Sequence, residues 1–258
     1  MNHKPVVVGV DGSAAASVAI RWGATEAAAL RSPLHLVYAA RPGGAPGHDV
    51  VDKAVAQARG LEPGVDVESR IENSSPSAAL VQASATAAVV VIGSRGLGVM
   101  AGALVGSTGL DLAANARCPV VVVRPDLAAT GGVRVVIGYD GSPAGDAALA
   151  FGINYARRHD LAVRVVAAQP TGTELHRITE DELRAAVHAH GAGDAELVQI
   201  TGHPAEHILR LSADAALVVL GARGRGGFAG MLIGSVSQTV LHPADCPVAI
   251  IPAAAIGG

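Results

Sequence analysis

Apolar positions in this chain follow two rhythms. Short runs rich in valine and isoleucine lie at 6–10, 34–39, 65–71, 88–92 and 120–124. Between them stand alanine-rich stretches with helical spacing, at 15–30, 50–59, 77–85 and 103–115. The series then starts again, with runs at 133–138, 162–168, 196–201, 216–220 and 248–251 and helical stretches at 144–159, 180–190, 205–213 and 231–242. Strand alternating with helix predicts βαβ units and a parallel sheet. Runs such as Val6-Val7-Val8-Gly9-Val10 are apolar at almost every position, which marks strands buried on both faces. The expected fold class is α/β: two tandem doubly wound, Rossmann-like domains, each built on a five-stranded parallel sheet. Ligands of such sheets bind beyond the C-terminal strand ends, where the strand order reverses.

The repetition extends to individual residues. Val6 to Ser13 matches Val135 to Ser142, so the opening Gly9-Val10-Asp11-Gly12-Ser13 has its copy in Gly138-Tyr139-Asp140-Gly141-Ser142. Arg21-Trp22-Gly23 aligns with Ala150-Phe151-Gly152, and Cys118-Pro119-Val120 with Cys246-Pro247-Val248. The offset is 129 early in each half and 128 later, so one residue was lost or gained in the middle, between the second strand and the glycine-rich segment that follows the fourth. Units this long are domains rather than solenoid repeats, whose periods are roughly 20–50 residues. The expected domains are 1–127 and 133–258, joined by the short Pro- and Gly-bearing linker 125–132.

Composition narrows the field. Half of the 258 residues are hydrophobic but only 2% are aromatic, so the cores are aliphatic and small residues let helices lie close on the sheets. A net charge of −3 offers no basic stripe for nucleic acid. No apolar run approaches the roughly 20 residues of a membrane span. The first residues lead straight into a strand without a signal-like apolar region, so the expected location is the cytoplasm.

The candidate chemistry lies in a glycine pattern, G-x2-G-x9-G-[ST], that occurs twice: Gly93, Gly96, Gly106, Ser107 and Gly221, Gly224, Gly234, Ser235. Each copy follows an apolar strand and leads into a helix. Glycine permits close backbone approach, successive N–H groups form an anion-binding concavity, and a helix N-terminus favours phosphate. Arg95 and Arg223 stand inside the motifs as counter-charges. Other phosphate motifs are missing. The only lysines, Lys4 and Lys53, lie outside the glycine loops, which excludes a Walker-type site, and no G-x-G-x-x-G follows the first strand. Asp11 and Asp140 fit a turn whose aspartate caps the following helix, a role compatible with ligand contact. His203 and His207 are read as solvated residues rather than a metal pair, with Pro204 starting their helix. Cys118 and Cys246 are read as core residues, without a disulfide.

The glycine spacing, the Val-Gly-x-Asp-Gly-Ser opening and the Cys-Pro-Val start of the last strand together resemble the universal stress protein family, ATP-binding branch, once per half. The resemblance implies an adenine nucleotide alpha hydrolase-like sheet of order 3-2-1-4-5 with ATP across its C-terminal edge and Mg²⁺ as an accompanying ion. It implies that Asp11 and Asp140, with the flanking Gly9, Val10, Gly138 and Tyr139, lie beside the adenosine. Ala39 and Ala168 would meet the adenine through backbone, and the glycine motifs would hold ribose and phosphates. The pattern ordinarily continues G-S-V-S. The second half keeps it as Gly234-Ser235-Val236-Ser237, whereas the first reads Gly106-Ser107-Thr108-Gly109, so the second site is expected to bind ATP more tightly. The resemblance further implies pairing of the two domains, a homodimer, and a sensor or regulator acting in stress or dormancy on a protein partner the sequence does not identify. No residue stands out as a general base, which leaves at most weak ATPase activity. A slow hydrolase or nucleotidyl-transfer enzyme and a non-binding interaction module remain alternatives.

Overall fold

The computed structural model describes residues 3–40, 47–94, 106–125, 131–169, 177–225, 233–241 and 243–256. The chain forms two compact units that part between residues 128 and 129.

The first unit contains β1 (Val6–Gly9), α1 (Ala14–Leu30), β2 (Leu34–Ala39), α2 (His48–Leu61), β3 (Val67–Glu72), α3 (Pro76–Ser84), β4 (Val89–Gly93), α4 (Ser107–Asn115) and β5 (Val120–Val123). The second contains β6 (Arg134–Tyr139), α5 (Pro143–Arg158), β7 (Ala162–Gln169), α6 (Glu180–Ala189), β8 (Glu196–Thr201), α7 (Pro204–Ser212), β9 (Ala215–Gly221), α8 (Ser235–Leu241) and β10 (Val248–Ile251). Strand order in the first unit is β3-β2-β1-β4-β5, with all pairs parallel. The second unit repeats it as β8-β7-β6-β9-β10. Order 3-2-1-4-5 places the reversal between β1 and β4, and between β6 and β9, where a crevice opens at the C-terminal strand ends.

The valine runs are the cores. Val6, Val7 and Val8 of β1 and Val89, Val90 and Val91 of β4 are at most 2% exposed, so both faces of these strands are covered. Helix α1 lies so close that a Cβ on Gly23 would collide with the Val8 side chain. Gly152 of α5 stands at the same place over Ile137, where a Cβ would come within 2.6 Å of the Ile137 Cδ1. The small residues thus set the helix–sheet spacing.

Pairing register locates the single-residue length change. His35 pairs with Glu68 and Arg164 with Glu196, so the offset is 129 on β2 and already 128 on β3. The change therefore falls in the β2–β3 connection, where α2 has 14 residues and α6 has 10. Most element ends differ from expectation by one or two residues. The third strand starts at Val67 rather than 65, because the Val65 N–H turns back to the Glu62 carbonyl at 3.1 Å and closes a turn after α2. The last helix starts at Ser235 rather than 231, following Gly234, whose N–H is bonded to the Ala222 carbonyl; residues 231, 232 and 242 of the expected helix lie outside the described residues. Residues 103–105 of the expected fourth helix and most of the linker lie outside them too. Within the described residues, no helix is long and apolar enough to cross a membrane.

Candidate functional site

Each Asp-Gly-Ser turn follows the central strand of its sheet. In the first unit the Asp11 carboxylate accepts the Ser13 N–H at 3.0 Å, and Ser13 Oγ accepts the Ala16 N–H at 3.1 Å. The second unit repeats this with Asp140 and the Ser142 N–H at 3.0 Å, and with Ser142 Oγ and the Gly145 N–H at 3.1 Å. The serine is therefore the helix cap, not the aspartate. The aspartate instead closes the turn through its Oδ1. Gly12 (φ +81°) and Gly141 (φ +70°) sit in the left-handed region that makes the turn possible.

The glycine motif meets this turn in the second unit. Gly224 lies directly against Asp140, and a Cβ there would collide with Asp140 Oδ2. Its neighbour Arg225 donates its backbone N–H to the same oxygen at 2.8 Å. Oδ1 also accepts the Ser142 hydroxyl at 2.6 Å, so the carboxylate receives three chain donors. Gly145 leaves room for it, since a Cβ there would stand 2.9 Å from Oδ1. Gly221, at the end of β9, packs on the α5 backbone, where a Cβ would be 2.8 Å from the Ala144 Cβ. Gly234 is drawn to the same strand end by its 2.7 Å bond to the Ala222 carbonyl. Ser235 is exposed and Val236 half-buried, but Ser237 is buried and donates its hydroxyl to the Gly221 carbonyl at 2.7 Å. Ser237 thus ties α8 to β9. That hydroxyl, expected from the resemblance to serve the ligand, serves the chain.

The first unit keeps part of this plan. Gly93 packs against Ala15 of α1, and Gly106, the N-cap of α4, donates its N–H to the Ser94 carbonyl at 3.3 Å. Ser107 is exposed, Thr108 half-buried, and Gly109 is buried where the second unit has Ser237. With no side chain at Gly109, α4 has no hydroxyl tether at this place. Arg95 and Gly96 lie outside the described residues. Arg223 is exposed in the second unit. The strand-two positions also match: Ala39 ends β2 opposite Glu72, and Ala168 pairs with Ile200 near the end of β7.

Electrostatics separate the two mouths. Val10 is buried, with its N–H on the Val37 carbonyl at 2.9 Å. Its counterpart Tyr139 reaches Asp146 of α5 with its hydroxyl at 3.1 Å. Burial, reinforced by the Asp146 carboxylate, pushes the Tyr139 phenol up to about 12. The phenol stays protonated at neutral pH. Burial likewise raises the thiols of Cys118 and Cys246 to about 12, which suits core residues and removes thiolate chemistry. His207 shares a 2.7 Å hydrogen bond with Arg210 on α7, the helix that Pro204 starts.

Three participants were not evident in the sequence: Ser142 as cap, Gly145 as the space for Asp140, and Arg225 as its second-side donor. The serine follows aspartate in both copies, a signal that could have been used. Gly145 and Arg225 carry none, because their counterparts in the first unit are Ala16 and Leu97. A separate groove of about 260 Å³ lies between α3 and the sheet of the first unit, lined by Val7, His35, Val37, Glu72 and Gln82 among others. It is apart from the glycine motif. Burial lowers the pKa of His35 there.

Two α/β units, each with an Asp-Gly-Ser turn and a glycine motif at its strand ends, make a duplicated Rossmann-like fold. The chain belongs to the universal stress protein family, whose model matches residues 2–124 and again 133–252. It is similar to a universal stress protein of Mycobacterium tuberculosis (strain H37Rv), 33% identical, over 95% of this chain and 96% of that one. A crystal structure of a universal stress protein from Archaeoglobus fulgidus, 19% identical, covers 98% of this chain and 99% of its own with a TM-score of 0.72, a likeness of fold. A shorter universal stress protein, solved in complex with cAMP, covers 49% of this chain and all of its own at 30% identity and a TM-score of 0.43.

Proposed function

We propose that this protein binds an adenine nucleotide, ATP in the first instance, at the C-terminal edge of each sheet and works as a nucleotide-dependent regulator in stress or dormancy rather than as an enzyme. The observation that carries this reading is the contact of Gly224 with Asp140. It joins the strand-one aspartate and the phosphate-type glycine motif at one sheet edge, where Gly141, Gly145, Gly221 and Gly224 let the surrounding chain approach more closely than a Cβ would allow. Such a cradle fits a ligand that needs close backbone approach and N–H donors.

Asp140 supports binding over turnover. Its oxygens already accept three chain donors, so it is neither a free general base nor an open ligand for Mg²⁺. On this reading the metal ion arrives with the phosphates.

The test is the identity and stoichiometry of nucleotide released from the purified full-length protein, followed by titration with ATP, ADP and AMP. Two nucleotides per chain are expected at saturation. Absence of bound nucleotide, together with no thermal shift in millimolar ATP and Mg²⁺, would overturn the reading. Sustained ATP turnover that Asp140→Ala abolishes would favour a hydrolase instead.

A further inference from the structure

Arg225 is the residue at the second site that the glycine motif does not account for. Its backbone N–H holds Asp140 Oδ2, and its guanidinium donates to the Gly141 carbonyl at 2.6 Å. The turn is shaped around this contact, because a Cβ on Gly141 would lie 2.6 Å from the guanidinium nitrogen. The guanidinium is also near enough to Tyr139 to favour its phenolate. Among the described residues no carboxylate forms an ion pair with Arg225. A guanidinium carries five N–H donors, so one carbonyl bond leaves most of them unused. An exposed cation lies over the mouth of the glycine cradle, its backbone held by the Asp140 carboxylate and its guanidinium by a single neutral acceptor.

We propose that Arg225 sets the phosphate preference of the second site: on binding, its guanidinium exchanges the Gly141 carbonyl for phosphate oxygens of the nucleotide. The proposal rests on the nucleotide reading above and adds an asymmetry to it. Guanidinium–phosphate bonds are charge-assisted and bidentate, and stronger than a bond to a neutral carbonyl. The exchange is therefore favourable for a ligand with several phosphates and gains less for one with a single phosphate or none. The first half has Leu97 at the matching position and cannot make the exchange. The two sites of one chain would then read different features, the second the number of phosphates and the first mainly the nucleoside.

The experiment uses the full chain with the first site disabled by Gly96→Ala, titrated with ATP, AMP and adenosine in parallel. In this background Arg225→Leu should lower the ATP-to-AMP affinity ratio roughly ten- to a hundredfold while adenosine binding holds or improves. Arg225→Lys, which keeps the charge but not the fork, should retain part of the ratio. Conversely, Leu97→Arg in a Gly224→Ala background should raise the ratio at the first site. An unchanged ratio with intact binding overturns the proposal. So does an equal rise in affinity for all three ligands, which would make Arg225 a plain obstruction. If the Gly96→Ala parent itself binds none of them while wild type does, the second site is not a nucleotide site and the proposal falls with it. If wild type binds none, the nucleotide reading fails first, so the two failures are distinguishable.

Discussion

The two mouths share a turn and a glycine pattern, but among the described residues they differ in the ties between the motif's helix and the strand end. In the second unit the strand end, the helix after the motif and the Asp-Gly-Ser turn are stitched by Ser237 on Gly221, Gly234 on Ala222, and Gly224 with Arg225 on Asp140. In the first, Gly109 removes the hydroxyl stitch, and the Gly106 bond to Ser94 is longer, 3.3 Å against 2.7 Å. Duplication preserved the positions of the site, and divergence acted on the ties between them. An advantage in affinity for the second site would accordingly include preorganisation, beside any contact that Arg225 makes with the ligand.

The largest effect is expected at Gly224. Gly224→Ala pushes a methyl group into Asp140, an overpacking cost of about 1–3 kcal/mol, or roughly ten- to a hundredfold in second-site affinity. Titration should show one class of site lost and the other unchanged. If Gly96→Ala costs more than Gly224→Ala, the second site is not the stronger one.

Next in size is Asp140→Ala, which leaves the Arg225 and Ser142 donors without their acceptor. A destabilisation of about 1–3 kcal/mol is expected, read as a lower thermal midpoint in ligand-free protein. An unchanged midpoint would show that the turn does not depend on the carboxylate.

Ser237→Gly should convert the second mouth toward the first. Losing the hydroxyl bond and gaining a helical glycine should cost about 1–2 kcal/mol, with second-site affinity falling toward that of the first. Gly109→Ser is the reciprocal variant and should strengthen the first site. If Ser237→Gly leaves affinity untouched, the tie has no part in binding.

Smaller still is the cap pair. Ser13→Ala and Ser142→Ala each remove an N-cap acceptor, for about 1 kcal/mol apiece, and the two effects should be alike because the cap geometry is the same in both units. Equal loss on chemical denaturation would confirm that the units diverged in their ties and not in their helix starts.

At neutral pH the raised pKa values have no effect on stability. They act at alkaline pH. Cys118, Cys246 and Tyr139 all have folded-state values raised to about 12, chiefly by burial. The folded state then holds protons that the unfolded chain gives up at the groups' ordinary values, 9.0 for the thiols and 10.0 for the phenol. Stability should be intact below pH 9 and should decline from there to about pH 12. Cys118→Ala with Cys246→Ala should move the onset of alkaline unfolding upward.

The inner strands were legible because a buried parallel strand needs nearly unbroken valine or similar residues, and β10 was expected with the bounds it has. Helix starts were less so: the aspartate and serine of the turn are both good caps, and only the geometry assigns the role to serine. The sheet edge on which Asp140, Gly221, Gly224 and Gly234 gather was legible because the repeat showed each motif twice in the same strand context. The inward turn of Ser237 was not. A serine in the first turn of a helix serves ligand or backbone equally well as text, and only the distance to Gly221 distinguishes them. Arg225 and Gly145 were invisible for the opposite reason, since each occurs in one copy and repetition gives no hint of it.

The outer strand β3 puts Glu68, Ser69 and Arg70 in solvent, and β8 exposes Glu196, Gln199 and Thr201. A duplicated chain keeps a second copy of its own fold tethered beside it, and short tethers correspond to effective concentrations of about millimolar. Every bare strand made during synthesis therefore has a ready partner of nearly the same shape. Charged and polar outer strands deny that partner a flat, greasy seam to zip onto. On that side of each sheet, the polar dress of β3 and β8 leaves a strand of the other copy little to trade onto.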